Sequence, residues 1–428
     1  MKKLLMCSAA VALGLAVAHP AKADGIKLDL AGHFKGYVTW LSQDTPDTTP
    51  STNERHFDIL RETEIHFTGE TTLDNGLTVG VHHEADIDNE FASQNGGKDF
   101  FATEESYAYF SGAWGRVNFG KEDGANYLLQ VAAPSADENY DGLRQYINPE
   151  NLGLAGIAGL HTGAILAGGT GAAGAGGVRG FANSGKLDYA DDATGYNNKI
   201  TYLTPVWSGF QAGGSYTPSG GVELGGTPDP NGSRAFGVTA SSNGLATDVY
   251  GDAWEGGVRY EGKWQELGVT LGGGYTHVAL SQHDAVVVGG DNLDAFNQWN
   301  LGAALTWQQF GLGGEYTKDN GGLNENGDNR TWDVGIDYTT GPFKLGASYL
   351  NNHEGLGQDH IAGINVDNGQ LDSTRWAGGV VYTYGPGMTF RGSVGYVRTD
   401  VPTDGGNAGN DVGHLNATDV LLGTQINF

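Results

Sequence analysis

The charged residues whose spacing is most informative form two groups. The first group lies in a long segment between residues 122 and 197. Four carboxylates lie near its start: Asp123, Asp137, Glu138 and Asp141. Five basic residues lie on or near the polar faces of predicted strands: Lys35, Arg61, Arg116, Arg259 and Arg391. Acids that face bases across water create a transverse electric field, which filters solutes by size and charge. The alternative is that each is an ordinary solvated charge.

Enzyme motifs are present only as fragments. Residues 169–174 match the dinucleotide-binding pattern G-x-G-x-x-G, but no predicted strand precedes them and no helix follows. His82, His83 and Glu84 suggest a metal site. Adjacent strand residues point to opposite faces, so the two histidines cannot converge on one ion. No Walker lysine-threonine pair or nucleophile elbow is present, and the sequence does not predict an enzyme.

A second group of carboxylates suggests a divalent cation. Calcium prefers oxygen ligands, and it could bind within one polar loop or link that loop to lipopolysaccharide. The candidate ligands are Asp319, Glu325 and Asp328. The segment does not match an EF-hand loop, so calcium remains a hypothesis, and no other cofactor is predicted.

The composition restricts the class of protein. Glycine accounts for 72 of 428 residues, a level that disfavours helices. Residues 151–178 carry no charge, but they are too rich in glycine for a transmembrane helix and are predicted to be loop. The net charge of −27 would repel nucleic-acid phosphates, which excludes nucleic acid as a partner.

The first 23 residues have the pattern of a secretory signal peptide. Lys2 and Lys3 precede a short apolar stretch, and Ala21-Lys22-Ala23 forms a cleavage site, so the mature chain is predicted to begin at Asp24. The single cysteine, Cys7, lies inside this segment. The mature protein is therefore expected to have no disulfide in the oxidising compartment that it enters.

The elements that would position these charges are short segments with period-two alternation. Residues 299–307 alternate Trp, Leu, Ala, Leu and Trp with smaller or polar residues, and residues 331–338 repeat the pattern. Such alternation fits a soluble sheet with one dry face or a membrane barrel with lipid outside and water inside. Aromatic residues at the ends of the apolar face, a small polar opposite face and alternating short and long connections favour the barrel.

The alternation predicts about 16 strands, an even number in the range that leaves an aqueous lumen. An 18-strand barrel remains an alternative, and a bulge near Arg61 is needed to restore the pattern of the second strand. The predicted strand centres are Phe34, Ile65, Val81, Ala108, Val117, Tyr202, Ala212, Val258, Leu271, Ala303, Gly314, Val334, Ala347, Val380, Val394 and Leu422.

The end of the chain carries a short motif formed by Gly423, Ile426 and the terminal Phe428. It resembles the assembly signal of outer-membrane barrel proteins. This resemblance implies recognition by the barrel assembly machinery. In physical terms, the apolar residues of this segment predict a last strand that closes onto the first.

The chain also resembles the general diffusion porins of alphaproteobacteria. The resemblance is carried by residues 65–70, residues 77–81, and the strand-turn-strand series from Ala108 to Lys121. It implies a homotrimer in the outer membrane, in contact with lipid and lipopolysaccharide, with small residues of the first strands at the subunit interface. It also implies that the third loop, residues 122–197, folds inward to narrow the pore, although this loop is longer than the family pattern.

The sequence therefore predicts an all-β transmembrane barrel over residues 24–428, with a constriction loop at about 122–197. The predicted function is passive diffusion of ions and small hydrophilic solutes, with a weak preference for cations that follows from the acidic excess. The alternatives are a substrate-selective channel, an outer-membrane barrel enzyme and a soluble secreted β-protein.

Overall fold

The computed structural model describes residues 25–44, 56–87, 102–150, 187–195, 197–218, 250–280, 294–325, 327–355, 358–361, 364–367, 370–402 and 412–428. The predicted signal peptide, residues 1–23, lies outside the described residues, as does the glycine-rich segment 151–178. Within the part of the chain that is described, no helix is long and apolar enough to cross a membrane.

Sixteen antiparallel strands close into one barrel, in which each strand pairs with the barrel strands before and after it and the last pairs with the first. Two further short strands, Gln358–Ile361 and Ile364–Asp367, form a separate hairpin. The strands are β1 (Lys27–Gln43), β2 (Phe57–Thr72), β3 (Thr78–Asp86), β4 (Ala102–Gly112), β5 (Gly115–Lys121), β6 (Asn198–Leu203), β7 (Phe210–Thr217), β8 (Tyr250–Trp264), β9 (Leu267–Leu280), β10 (Phe296–Trp307), β11 (Phe310–Asp319), β12 (Asn329–Thr340), β13 (Phe343–Gly355), β14 (Gln358–Ile361), β15 (Ile364–Asp367), β16 (Gln370–Gly385), β17 (Met388–Pro402) and β18 (Val412–Asn427). The predicted barrel of 16 strands is confirmed.

The faces of the strands follow the predicted alternation, because successive Cβ atoms point to opposite sides of a strand. In β12, Val334 and Ile336 are exposed on the outside, whereas Asp333 is fully buried on the inside. In β1, Val38 and Trp40 point outward and Lys35 points inward. The apolar outer face is therefore available to lipid, and the inner face carries the polar side chains.

Outward-facing aromatic rings pack in pairs near both ends of the strands. The pairs Trp299–Tyr316 and Phe310–Tyr338 have ring centroids 5.2 and 4.7 Å apart. Trp299 and Trp307 lie at opposite ends of β10. At about 3.3 Å per residue they lie roughly 26 Å apart along the strand, or about 20 Å along the membrane normal for a strand tilted by about 40°, which is compatible with two aromatic girdles that flank an apolar band.

The connections are sorted by length, as predicted. Short turns at one end join β2 to β3, β4 to β5, β6 to β7, β8 to β9, β10 to β11, β12 to β13 and β16 to β17. Gly341 and Gly387 occupy two of these turns at φ of 55° and 71°, a region that L-residues with side chains rarely adopt. The longer connections all start and finish at strand ends on the other side of the barrel, which is the sorting expected of an outer-membrane barrel.

The last strand closes the barrel on the first. Phe34 of β1 pairs with Ile426 of β18, and the backbone of Gly32 exchanges hydrogen bonds of 2.9 and 3.0 Å with that of Phe428. The predicted pairing of the chain ends is therefore present, while the role of Gly423, Ile426 and Phe428 as an assembly signal stays a prediction.

The prediction for Arg61 is wrong. Strand β2 pairs with β1 from Phe57 to Glu70 without a register shift, so the expected bulge at Arg61 is absent. Without a bulge, Arg61 shares the outward face with Ile59 and Phe67, which are both exposed. It is therefore not a basic residue of the lumen, because a shift of one residue in register exchanges the two faces of a strand.

Glycines on the inner face make room for a loop that enters the barrel. A Cβ added at Gly272 or Gly302 would meet Val131, and one at Gly335 would meet the carbonyl oxygen of Pro134. At Gly335 the loop backbone lies directly against the wall, and at Gly272 and Gly302 the side chain of Val131 fills the space. Part of the high glycine content therefore has a structural cause.

We predict that Gly335→Val displaces the loop at Pro134 and destabilises the folded barrel by about 1–3 kcal/mol, the usual cost of an overpacked contact. Gly385→Val is the matched control, because a Cβ there has no atom within 4 Å. Guanidinium unfolding followed by tryptophan fluorescence measures both variants. Equal stability of the two would contradict this account of the glycines.

Candidate pore constriction

The segment after β5 runs inside the barrel. We call its described part, residues 122–150 and 187–195, the inner loop. It contains two single helical turns, α1 (Ala125–Leu128) and α2 (Glu138–Asp141). Turn α1 packs against β6, β7, β8 and β9. The backbone NH of Ala125 donates to Ser215 Oγ at 2.8 Å, and Asn126 Nδ2 donates to Thr276 Oγ1 at 2.9 Å.

Asp137 anchors the inner loop to the opposite part of the wall. Its carboxylate accepts hydrogen bonds from Tyr37 Oη at 2.9 Å and Ser393 Oγ at 3.0 Å. Arg391 donates to the same group at 2.8 Å and completes a buried ion pair. These contacts join strands β1 and β17 to the turn that begins at Glu138.

A second anchor lies one helical turn further along. Tyr140 Oη donates to Asp419 Oδ2 at 2.8 Å on β18 and lies 3.1 Å from Glu150 Oε1. Burial, reinforced by the negative charge of Asp419, raises the pKa of Glu150 to about 8.

Arg375 is a third anchor, which the sequence analysis missed. Its side chain is fully buried and donates to the backbone carbonyls of Tyr140 at 3.1 Å and Leu187 at 2.5 Å. It therefore ties both passes of the inner loop to β16. Period-two alternation puts Arg375 on the polar face of β16, but nothing in the sequence distinguishes it from the other basic residues that point inward.

Part of the lumen is apolar, which differs from the prediction of a small and wet inner face. Leu350, Val397 and Leu415 point inward from β13, β17 and β18 and pack with Leu187 and Tyr189 of the inner loop. These side chains are dry because the loop covers them. On this side the barrel encloses a small hydrophobic core and not water.

The four acidic residues predicted for the constriction take different positions. Asp137 and Asp141 are buried anchors, and Asp141 accepts a 2.8 Å hydrogen bond from Ser348. Asp123 is buried 3.7 Å from Arg144, and burial raises its pKa to about 7 against the attraction of that guanidinium. Only Glu138 has a well-exposed side chain, at 66%. The four do not form one cluster facing water.

Four of the five predicted bases lie on the inner face. Lys35 Nζ lies 2.7 Å from Glu62 and 3.2 Å from the centre of the Tyr146 ring. Arg116 stacks over Tyr109 at 4.0 Å. Arg259 pairs with Glu261 at 2.7 Å and donates to the carbonyl of Gln130 at 2.8 Å, and Arg391 pairs with Asp137.

The most highly charged part of the wall was not predicted. The inner faces of β1 to β4 carry a band of four carboxylates and three imidazoles within salt-bridge or near-contact distance of one another. These residues are Glu62, Glu64, Glu84, Glu105, His33, His66 and His82. We call them the charged band. Alternation in β2 already puts Glu62, Glu64 and His66 on one face, so this signal was available in the sequence.

The predicted calcium ligands do not converge. Asp319 accepts hydrogen bonds of 2.7 Å from Gly321 and Asn329, and Asp328 lies 3.3 Å from Lys318. Among the described residues, the sets of three metal-binding groups with converging ligand atoms do not include Asp319, Glu325 or Asp328. The carboxylates of Asp319 and Asp328 instead make local contacts in and beside the loop after β11.

A closed barrel with an apolar outer belt and a loop folded into its polar lumen is the form of an outer-membrane channel. A scan of protein families matches residues 8–402 to the Gram-negative porin family. The chain belongs to this family, and it is a channel of the Gram-negative outer membrane and not an enzyme. A search of curated proteins finds no match to the sequence.

Solved structures share the fold. The anion-selective porin from Comamonas acidovorans matches with 16% identity and a TM-score of 0.54, covering 95% of this chain and 100% of that chain. OmpT of Vibrio cholerae, in its trimer form, matches with 13% identity and a TM-score of 0.51 over the same shares. A porin refined at 1.8 Å resolution matches with 14% identity and a TM-score of 0.51, covering 94% of this chain and 100% of that chain.

We predict that Asp137→Ala loosens the inner loop, because it leaves Arg391 buried without its carboxylate partner. Breaking a buried pair costs about 3–5 kcal/mol. Glu138→Ala is the control, since its exposed carboxylate lies 3.6 Å from Arg391. Single-channel recordings should show added current noise for Asp137→Ala only. Equal noise in both variants would contradict the anchoring role.

Proposed function

We propose that the chain is a general diffusion porin of the alphaproteobacterial type, with a weak preference for cations. The observation that carries the proposal is the position of the inner loop. Asp137, Tyr140 and Arg375 hold it against the wall of β13 to β18, while the charged band lies on β1 to β4. Solutes pass between these two surfaces, and the inner loop narrows the passage there.

The preference for cations is supported by the charges that border this passage. The charged band contributes four carboxylates, and the whole chain has a net charge of −27. A cleft lined mainly by one sign of charge raises the local concentration of counter-ions. Lys35 reduces this effect by pairing with Glu62, which is why the preference is weak. Porins of this fold do not all prefer ions of the same charge, since the similar Comamonas acidovorans protein is anion-selective.

We predict a reversal potential of cationic sign in a potassium chloride gradient across a planar bilayer. Glu84→Gln should shift it toward zero, because this variant removes a carboxylate charge from the charged band. Glu266→Gln is the matched control, because Glu266 is exposed in the short turn between β8 and β9. An anionic sign for the unaltered protein, or equal values for both variants, would overturn the proposed selectivity.

A substrate-selective channel is the second candidate. It is favoured by the stack of Arg116 over Tyr109, with Tyr107 6.3 Å from Tyr109 between ring centres, because a ligand could lie along these inward rings. The two functions differ in their currents. A general porin gives large steps proportional to voltage, whereas a selective channel shows a current that saturates or is blocked when its substrate binds.

The assembly of the chain is also a proposal. OmpT of Vibrio cholerae has a trimer form, and we propose a homotrimer here. On the outward face of β1 and β2, Gly36 lies opposite Arg61 and Phe34 lies opposite Thr63. An arginine on a lipid-facing surface costs up to about 2–4 kcal/mol, depending on its depth. A neighbouring subunit on this face would remove that cost.

We predict that Thr63→Trp weakens the trimer, because a large ring would separate the subunits at this face. Ala303→Trp is the matched control, because Ala303 is exposed on the outward face of β10, far along the barrel wall from β2. Unheated gel electrophoresis of both proteins reports the oligomer. A trimer that tolerates Thr63→Trp as well as Ala303→Trp would place the interface elsewhere.

The remaining partners follow from the location in the outer membrane. The outward aromatic girdles would contact lipid, and the long connections at one end would contact lipopolysaccharide. The terminal segment with Gly423, Ile426 and Phe428 would be read by the barrel assembly machinery before β18 pairs with β1. Within the part of the chain that is described, the side chains do not form the catalytic grouping of an outer-membrane barrel enzyme.

A further inference from the structure

Three histidines form a row across the inner faces of the first three strands. The ring centroids of His33 and His66 are 5.9 Å apart, and those of His66 and His82 are 5.7 Å apart. The register explains the row, since His66 of β2 pairs with Glu84 of β3, and Thr68 pairs with His82. Neighbouring strands thus bring imidazoles and carboxylates together from distant positions in the sequence.

Within this row, His66, His82 and Glu84 point their ligand atoms at one place. Glu84 Oε2 lies 3.2 Å from His66 Nδ1 and 3.6 Å from His82 Nε2, and all three ligand atoms lie within 4.8 Å of one another. A zinc ion binds nitrogen and oxygen ligands at about 2.0–2.2 Å, so tetrahedral ligands lie roughly 3.3 Å apart. The three atoms are close to this spacing before any ion is bound.

The second nitrogen of each imidazole is held by another side chain. His82 Nδ1 lies 3.0 Å from Thr68 Oγ1, and His66 Nε2 lies 3.1 Å from Glu64 Oε2. If each of these nitrogens carries the proton, the lone pairs of His66 Nδ1 and His82 Nε2 face Glu84. Metal-binding histidines characteristically donate their other N–H to a carboxylate or another oxygen, which fixes the ring and its tautomer.

We propose that His66, His82 and Glu84 bind a first-row transition-metal dication such as Zn²⁺ on the wall of the pore. Glu105 Oε2, 3.7 Å from His82 Nε2, is positioned to become a fourth ligand. Strand β4 has a register shift opposite Glu84 and Ala85, where Glu104 is the inserted residue. A bulge of this kind redirects side chains, and here it adds carboxylates beside the ligands.

His33 is not part of the proposed site. It also lies 3.6 Å from Glu64, but its Nε2 is engaged by Glu62 at 2.8 Å, and Glu62 is in turn paired with Lys35 at 2.7 Å. Using His33 would require His66 to turn its other nitrogen to the metal and release Glu64 as its hydrogen-bond partner. The site with His82 keeps all of these contacts.

The ligand set selects the class of metal. Imidazole nitrogen together with carboxylate oxygen suits zinc, copper, nickel or iron, whereas calcium and magnesium take oxygen ligands. His82 and His83 point to opposite faces of β3, as the alternation predicts, and cannot bind one ion together. The second histidine of the proposed site is His66, which comes from β2 across the strand pair and not from the neighbouring residue.

The test uses purified, folded protein and Co²⁺, which reports nitrogen and oxygen ligands by its visible spectrum, with Zn²⁺ as competitor. We expect saturable binding that His82→Gln and Glu84→Gln weaken by at least about tenfold, and Thr68→Val by about tenfold, as for the loss of a partner that orients a ligand. His83→Gln is the matched control, because His83 lies on the outward face beside Phe67. Heat-modified gel mobility verifies that each variant is folded.

Two results would overturn the site: no binding of Co²⁺ or Zn²⁺ by the unaltered protein, or an equal loss of binding in His83→Gln and His82→Gln. A second readout is the conductance, which rests on the proposed function. Zn²⁺ should reduce the single-channel current of the unaltered protein and of His83→Gln, but not of His82→Gln, and Mg²⁺ should have no such effect. If the protein binds metal but conducts no current, the proposed channel function is refuted and the metal site stands. If the protein conducts current but binds no metal, the metal site is refuted and the channel function stands.

Discussion

Lipid offers no hydrogen-bond partners to a peptide group, and this constraint determines the architecture of the chain. Each strand must be paired on both sides, so β1 has to meet β18, and the sheet must close. Closure in turn fixes the direction of every side chain, because alternate residues of a strand point either to lipid or to the lumen. The outward belt and the inward charges are two results of the same constraint.

A barrel of 16 strands encloses more space than inward side chains can fill, and the inner loop occupies part of it. Two features of the wall allow this. Glycines such as Gly335 let the loop backbone approach closely, and buried groups such as Arg375 and Arg391 bind its carbonyls and carboxylates. The loop therefore behaves as part of the barrel's interior, with its own small hydrophobic core around Leu187 and Tyr189.

The sequence predicted the strands and most of their faces because alternation is a local signal. It failed at Arg61, where one unexpected residue suggested a bulge that the register does not contain. It also could not separate the buried Asp137 from the exposed Glu138, since burial in the inner loop depends on Tyr37 and Arg391, far away in the chain.

The same limit explains why the charged band was missed. Glu62, Glu64 and His66 share a face by alternation alone, but their contacts with Glu84 and His82 depend on which residues of β2 and β3 are paired. Which residues of two strands pair depends on both segments of the chain, and it is set by the length of the turn between them and by the burial of one face. A hairpin as short as that between Thr72 and Thr78 fixes it, so adding the register to the alternation would have placed His82 near His66.

The wall thus divides into two regions with different demands. From β6 to β18, glycine and buried anchors hold the inner loop, and long flexible side chains there would displace it. From β1 to β4, long charged side chains line the wall, and the inner loop contacts them where the backbone NH of Asp123 donates to Glu105 at 3.3 Å and where Lys35 lies over the ring of Tyr146. Two charges 4 Å apart near a protein surface interact by about 4 kcal/mol, so carboxylates this close require partners between them. His33, His66, His82 and Lys35 supply them, and two of these imidazoles, His66 and His82, are the ones proposed to bind a metal ion.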